Sequence, residues 1–208
     1  MNQIFELLGL TIISFLIVLL MAPSNVAQDV KILSPKVLDT EGNPIEKGAS
    51  YVFLPANTIE KLSPKVKGIG LTSTVNACPF HVALSSTAVS LKFSVSPLIT
   101  DIREGDRLNF RFNYKGKNCP EVMTWQVDLP FGSRFPGYVV TGNTMILSNP
   151  TFKIKRADDN KSGVYKVQYC NILDRCVDVI VKETSDPDVM ALVVNENGVP
   201  LHVKFQKS

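Results

Sequence analysis

Histidine is nearly absent from this chain: His81 and His202 are the only two imidazoles among 208 residues. Neither belongs to a serine or cysteine nucleophile motif, so a hydrolase reading finds no machinery, and each is expected to be structural. No Gly-rich phosphate loop and no spaced set of metal ligands occurs. No cofactor and no metal are therefore expected. Massed charge of one sign is also missing. The 22 Lys and Arg are scattered among 19 Asp and Glu, net +3, which leaves no footprint for nucleic acid. The single tryptophan, Trp125, is expected in a core rather than on a ligand platform. Helical periodicity is lacking beyond the N-terminus, which excludes helix-rich classes.

Long apolar runs are lacking too, with one exception. Leu7 to Ala22 is apolar apart from Gly9, Thr11 and Ser14, and small residues follow at Ala22, Ser24 and Ala27. The run falls short of the roughly 20 residues of a membrane span and fits a secretory leader cleaved near Ala27–Gln28. Met1 to Glu6 carries no Lys or Arg, which is atypical for a leader and leaves a signal anchor as the alternative. The expected organisation is a signal peptide over 1–27 and one domain over 28–208, with no membrane association after cleavage. A composition that is 45% hydrophobic and 20% charged suits one domain with a real core.

Export makes the four cysteines legible as two disulfides, for which three pairings exist. Cys170 and Cys176 enclose a short segment and are expected to pair locally, leaving Cys78 with Cys119. On a chain-entropy account the long loop contributes roughly 4 kcal/mol and the short one roughly 2. Zinc spacings such as Cys-x-x-Cys are absent.

What the chain does have is short alternating runs between turns. Ser50–Leu54, Gly68–Ser73, Phe80–Leu84, Val89–Phe93, Leu108–Phe112 and Trp125–Leu129 read as strands. So do Tyr138–Val140, Phe152–Lys155, Tyr165–Tyr169, Val177–Val181, Met190–Val194 and Leu201–Phe205. About a dozen strands at short spacing predict an all-β sandwich or barrel. An internal echo, Ile102 to Phe112 against Val194 to Phe205, hints at a repeated unit.

One connection is unusual. Between Val89–Phe93 and Leu108–Phe112 a polar turn is expected, yet Ser94 to Asp101 carries Leu98 and Ile99 beside Pro97. Proline fixes φ and removes a donor, so this is either a packed strand or a stiffened peptide offered to a partner.

The run Val37 to Ala56, with Leu38-Asp39-Thr40-Glu41-Gly42-Asn43-Pro44-Ile45 at its heart, resembles the N-terminal signature of plant Kunitz (soybean-type) protease inhibitors. The resemblance extends through Cys78-Pro79, Cys119 with Met123-Thr124-Trp125, Tyr165 to Cys170 with Cys176, and the tail to Lys207. Phe53 stands where an aliphatic residue is usual. The resemblance implies a β-trefoil of twelve strands, six forming a barrel and six capping it, with pseudo-threefold symmetry. It also implies cysteines paired in chain order. The implied function is inhibition of a serine endopeptidase by a rigid loop between the fourth and fifth strands. Such a loop enters the active site like a substrate and loses little entropy on binding.

Carried over residue by residue, that loop is Ser96, Pro97, Leu98, Ile99, Thr100 and Asp101. The P1 side chain, which fills the protease's specificity pocket, is Ile99 when counted from Ser96-Pro97 and Leu98 when counted back from Glu104-Gly105. Both are apolar. A trypsin pocket has an Asp at its base, which an aliphatic side chain leaves desolvated and unpaired. A chymotrypsin-, elastase- or subtilisin-like target is expected instead. Inhibitory relatives often brace the loop with an Asn where this chain has Lys47, which donates but does not accept, so that brace is lost.

Two further features stand out. The loop between Cys170 and Cys176 could present Leu173 or Arg175 to a pocket, or be a plain hairpin staple. Asn160-Lys161-Ser162 is a glycosylation sequon. The expected partner is a target protease, the chain a monomer, and its location extracellular (apoplast) or vacuolar. The alternative is a relative without standard serine-protease inhibition. It would bind a cysteine protease, serine carboxypeptidase or amylase by another surface, or serve in storage or defence. A carbohydrate-binding trefoil would need Gln-x-Trp triplets, and none occur.

Overall fold

Twelve strands form, each where β-formers alternate in the sequence. They are β1 (Ser50–Pro55), β2 (Gly68–Thr72), β3 (His81–Ser85), β4 (Leu91–Ser94), β5 (Arg107–Phe112), β6 (Thr124–Asp128), β7 (Gly137–Gly142), β8 (Phe152–Arg156), β9 (Tyr165–Cys170), β10 (Cys176–Glu183), β11 (Met190–Val194) and β12 (His202–Lys207). The structure, a computed structural model, describes residues 33–56, 66–72, 81–114, 123–128, 137–142, 152–158, 162–184 and 190–208. No helix long and apolar enough to cross a membrane occurs among the described residues. The expected leader over 1–27, Cys78, Cys119 and Asn160 lie outside the described residues.

The pairings close two rings. Six strands join antiparallel in the order β1, β4, β5, β8, β9, β12 and back to β1, which is a closed barrel. The other six form hairpins β2–β3, β6–β7 and β10–β11. Their second strands, β3, β7 and β11, pair with one another in a triangle. Each run of four successive strands therefore repeats one plan: two barrel strands at its ends and a cap hairpin between them. That is a β-trefoil with pseudo-threefold symmetry. The sequence echo does not follow this symmetry. It matches β5, the first strand of the second unit, to β12, the last strand of the third. The likeness reflects shared turn-then-strand grammar, not equivalent positions.

Period-two alternation fills the barrel. In β4, Leu91 and Phe93 are buried while Lys92 and Ser94 face water, and in β5, Leu108, Phe110 and Phe112 point inward. Tyr51 and Phe53 (β1), Phe152 and Ile154 (β8), Tyr165 and Val167 (β9), and Val203 and Phe205 (β12) complete the lining. Phe53 sits at the centre of an aromatic cluster. Its ring lies 4.7 Å from Phe205, 5.2 Å from Phe110 and 5.8 Å from both Phe93 and Trp125, centroid to centroid. Trp125 is buried in this core, as its sequence context implies.

The segment before β1 is not a strand but a strap. Val37 and Ile45 are buried, and Asp39 caps the Thr40–Asn43 turn by accepting from the N–H groups of Glu41 (2.9 Å) and Asn43 (2.8 Å). Two phenols fix the strap to the barrel: the Leu38 N–H donates to Tyr165 Oη and the Glu46 N–H to Tyr51 Oη, each at 2.8 Å. Burial pushes the Tyr165 phenol above its usual range, partly offset by the Leu38 hydrogen bond, so it stays protonated.

Candidate functional site

The β4–β5 connection, residues 95–106, is the apolar stretch singled out in the sequence. Its ends are anchored by burial: Val95 follows β4 into the core, and Ile102 is buried beneath the strap. Between them the chain turns outward. The Ile99 N–H donates to the Ser96 carbonyl at 3.0 Å, closing a β-turn with Pro97 at its second position, where a fixed φ is favoured. This turn separates the two apolar candidates. Leu98 is 92% exposed at the tip, whereas Ile99 is half-buried and packs against the core. Thr100 is exposed and Asp101 half-buried beside it.

The C-terminal foot of the loop is bound to the strap. The Val37 N–H donates to the Ile102 carbonyl at 3.0 Å, and the Glu104 N–H to the Pro35 carbonyl at 2.9 Å. Arg103 donates to the Ser34 carbonyl at 2.7 Å, and Asp101 forms an ion pair with Lys36 at 3.0 Å. The foot is also bound to the barrel. Arg156 donates through Nε and Nη2 to Glu104 Oε1 at 3.1 and 2.9 Å, and its backbone N–H donates to Oε2 at 3.2 Å. Gly105, at φ +86°, lets its N–H reach the Ile154 carbonyl at 2.9 Å, in a conformation that a side chain would strain. No local pattern in the sequence signals these contacts, because their partners lie about 50 or more residues apart.

The N-terminal foot rests on Lys47. Its ammonium donates to the Ser96 carbonyl at 3.3 Å, the same oxygen that closes the turn. The acceptor half of an amide brace is gone, as the sequence implies, but a donor remains. An exposed, charge-assisted bond of this kind contributes about 0.2–1 kcal/mol and is screened by salt. Lys47→Met is expected to weaken inhibition by about two- to fivefold at low ionic strength and to have no effect in ~1 M salt. Inhibition constants measured across a salt series check this. An equal effect at all salt concentrations would show that Lys47 acts through packing instead.

A second loop is equally well defined. Cys170 and Cys176 face each other across β9 and β10 and are disulfide-bonded, as expected. Between them the Asp174 N–H donates to the Asn171 carbonyl and the Asn171 N–H to the Arg175 carbonyl, each at 3.0 Å. Asn171 Oδ1 also accepts from the N–H groups of Leu173 (2.9 Å) and Arg175 (3.0 Å). Asp174 adopts a left-handed φ of +60°, as the last residue of a three-residue hairpin loop does, though glycine usually fills that place. Its carboxylate receives Arg107 Nη2 at 2.7 Å and Lys153 Nζ at 2.8 Å. Leu173 and Arg175 are both exposed.

Those two cations, Lys153 first, hold the Asp174 carboxyl below the usual carboxylate range. The clamp is then complete above the ordinary carboxylate pKa and is lost as pH falls through the depressed one. The Arg107 guanidinium resonances are expected to shift only below the usual Asp titration range in an NMR pH series. In Asp174→Asn that shift should vanish. A shift centred at the ordinary Asp value would rule the clamp out.

The described geometry has its counterpart in known proteins. The sequence model of a family described as trypsin and protease inhibitors, legume Kunitz type, matches residues 37–207. Trypsin inhibitor B of Glycine max is 32% identical over 184 residues, covering 82% of this chain and 96% of that protein. A crystal structure of the soybean Kunitz trypsin inhibitor complexed with 1,5-disulfonyl naphthalene matches at a TM-score of 0.65 and 28% identity, covering 83% of this chain and 99% of that one. The soybean inhibitor in its complex with porcine pancreatic trypsin matches at 0.61 and 26%, covering 83% and 99%. These relatives are inhibitors and not enzymes, and the soybean inhibitor is seen bound to a protease, porcine pancreatic trypsin. With its signature strap, its trefoil and its ordered cysteines, this chain belongs to the plant Kunitz protease inhibitor family.

Proposed function

We propose that this chain inhibits endopeptidases of chymotrypsin-, elastase- or subtilisin-like specificity, with Leu98 as the P1 side chain. The observation that carries the reading is the 92% exposure of Leu98 at the tip of a connection held at both feet. The relatives are named for trypsin, yet Ser96–Asp101 offers no cation for the carboxylate in a trypsin pocket. Ile99, the other candidate, packs inward and serves the turn.

Substrate-like binding needs an extended segment, so the Ser96–Ile99 turn must open. Losing one exposed backbone hydrogen bond costs about 1 kcal/mol, whereas burying Leu98 in an apolar pocket returns about 1.5–3 kcal/mol. The balance favours insertion. In keeping with an exported family member, the domain over 28–208 acts outside the cell or in the vacuole, as a monomer, after loss of 1–27. Asn160, where glycosylated, would carry its glycan on the β8–β9 connection, a different loop from the one bearing Leu98.

Titration of the mature chain against trypsin, chymotrypsin, elastase, subtilisin, papain and a serine carboxypeptidase tests the reading. Inhibition of the apolar-pocket serine proteases should exceed that of trypsin and be lost in Leu98→Gly/Ile99→Gly. Strong trypsin inhibition surviving that change would overturn it. Activity against papain or carboxypeptidase alone would favour the alternative of another binding surface.

A further inference from the structure

The trefoil sorts charge by layer. The six barrel strands carry nine Lys and Arg (one on β4, two on β5, three on β8, one on β9 and two on β12) and no Asp or Glu. The six cap strands carry one Lys and three acids. A net charge of only +3 hides this, because the fold gathers cations that are scattered along the chain. Register sharpens the crowding. Lys92 faces Arg111 across β4 and β5, Arg107 faces Lys153 across β5 and β8, and Lys155 faces Lys166 across β8 and β9. Like charges directly opposite each other in a sheet are destabilising, so these three pairs are held at a cost. Acids from outside the barrel strands relieve part of it: Asp174 takes Arg107 and Lys153, Glu104 takes Arg156, Asp178 takes Lys166, and Glu46 takes Lys207. Lys92, Arg111, Lys155 and Lys204 are exposed and form no ion pair among the described residues.

We infer that the outer wall of the barrel is a docking surface for an acidic polysaccharide, whose carboxylates meet Lys92, Arg111, Lys155 and Lys204. The inference goes beyond protease inhibition and uses no residue of the loop that carries Leu98. Charge complementarity selects a polyanion. The rest of the wall selects among polyanions. No large exposed hydrophobic lies on a barrel strand, which leaves nothing to bury in a membrane and no ring on which a base could stack. The wall is the convex side of a closed ring, so a straight duplex would touch it along one line, whereas a flexible chain follows the curve. Ser94 and Gln206 are exposed on the same strands and can hydrogen-bond sugar hydroxyls. The four cations lie on strands of the wall and Leu98 at the tip of a connection between strands, so both surfaces can be occupied together.

Immobilised polygalacturonate, a linear carboxylated polysaccharide, is the probe, and its methyl-esterified form is the uncharged counterpart. The mature chain is expected to bind polygalacturonate at low ionic strength, about tenfold or more weaker in ~0.5 M salt, and not to bind the ester. Lys92→Gln/Arg111→Gln and Lys155→Gln/Lys204→Gln should each weaken binding by about tenfold, since each removes two exposed charges from the wall. Lys67→Gln/Lys182→Gln removes the same charge from exposed positions just before β2 and on β10, and should leave binding unchanged. Protease inhibition should persist with the polymer bound. A parent that does not bind polygalacturonate at low salt overturns the proposal. So does an equal loss in Lys67→Gln/Lys182→Gln, which would mean that net charge alone acts. Binding to the ester also overturns it, as does tighter binding to duplex DNA or to vesicles of equimolar phosphatidylserine and phosphatidylcholine. Inhibition lost on adding the polymer would place the polymer on the Leu98 loop and overturn it likewise. A chain that binds the polymer through these cations but inhibits no protease would leave this inference standing and sink the Leu98 reading.

Discussion

Leu98→Arg is expected to turn this chain into a trypsin inhibitor, strengthening trypsin inhibition by about 1,000-fold or more. An aliphatic side chain in a trypsin pocket leaves the carboxylate at its base buried and unpaired. A guanidinium supplies the matching charge with bidentate geometry. The same change should weaken inhibition of chymotrypsin- or subtilisin-like enzymes by about 10- to 100-fold, because an apolar pocket cannot neutralise the charge it would bury. Thermal stability should stay within about 0.5 kcal/mol of the parent, since Leu98 is 92% exposed and touches no core. Paired inhibition constants for trypsin and chymotrypsin check the exchange. Unchanged trypsin inhibition in the Arg variant would remove Leu98 from the P1 position. Ile99→Arg, by contrast, should gain little against trypsin while costing stability, since Ile99 packs against the core.

Phe53→Ala should lower the unfolding free energy by about 3–5 kcal/mol, the range for deleting a fully buried aromatic ring. For a chain of this size 1 kcal/mol corresponds to roughly 2–4 °C, so the melting temperature should fall by about 10 °C. The reason is position. Phe53 touches four rings drawn from β4, β5, β6 and β12, so its loss opens a void shared by all three units of the fold. Phe53→Leu should cost much less, because an aliphatic residue refills part of the space. Calorimetry on both variants checks the order. A loss below about 1 kcal/mol for the Ala variant would mean that the barrel interior collapses around the gap. At temperatures below its transition the Phe53→Ala variant should inhibit as the parent does, since the rings that Phe53 packs against lie in β4, β5, β6 and β12 and not in the loop.

The strands were legible because alternation is a local signal. Leu91-Lys92-Phe93-Ser94 and Leu108-Asn109-Phe110-Arg111-Phe112 already state which side chains face inward, and the barrel obeys them. The local disulfide was legible for the same reason: Cys170 and Cys176 sit close in sequence and across a hairpin in space. The loop tip was not. Alternation stops at the turn started by Pro97, so the sequence could not say which of Leu98 and Ile99 faces water. The ion pairs were hidden for another reason. Glu104 meets Arg156 and Asp174 meets Arg107 only because the barrel brings β5 beside β8 and β8 beside β9, and charge patterns carry no signal across such separations. The role of Lys47 fell between these cases. Its side-chain chemistry predicted what it could not accept, while only its distance from Ser96 revealed what it does donate to.

The closed ring of barrel strands has a consequence for how such a protein survives its own targets. An endopeptidase hydrolyses backbone that it can draw out as an extended single strand, and a sheet edge, with unsatisfied N–H and C=O groups along one side, offers such a strand for capture. Here β1 finds β12 on one side and β4 on the other, so the barrel presents no border to peel. Digestion is thereby steered toward connections, and among the described residues the connection bearing Leu98, 92% exposed, is fastened at one foot by Lys47 and at the other to the strap and the barrel. After a cut at its tip, the two new ends would remain tied in place by the Lys47 contact on one side and the Glu104–Arg156 contacts on the other. On the proposed reading of Leu98 as P1, ends kept side by side would be poised to rejoin, and attack on this chain would become prolonged occupancy of the attacker.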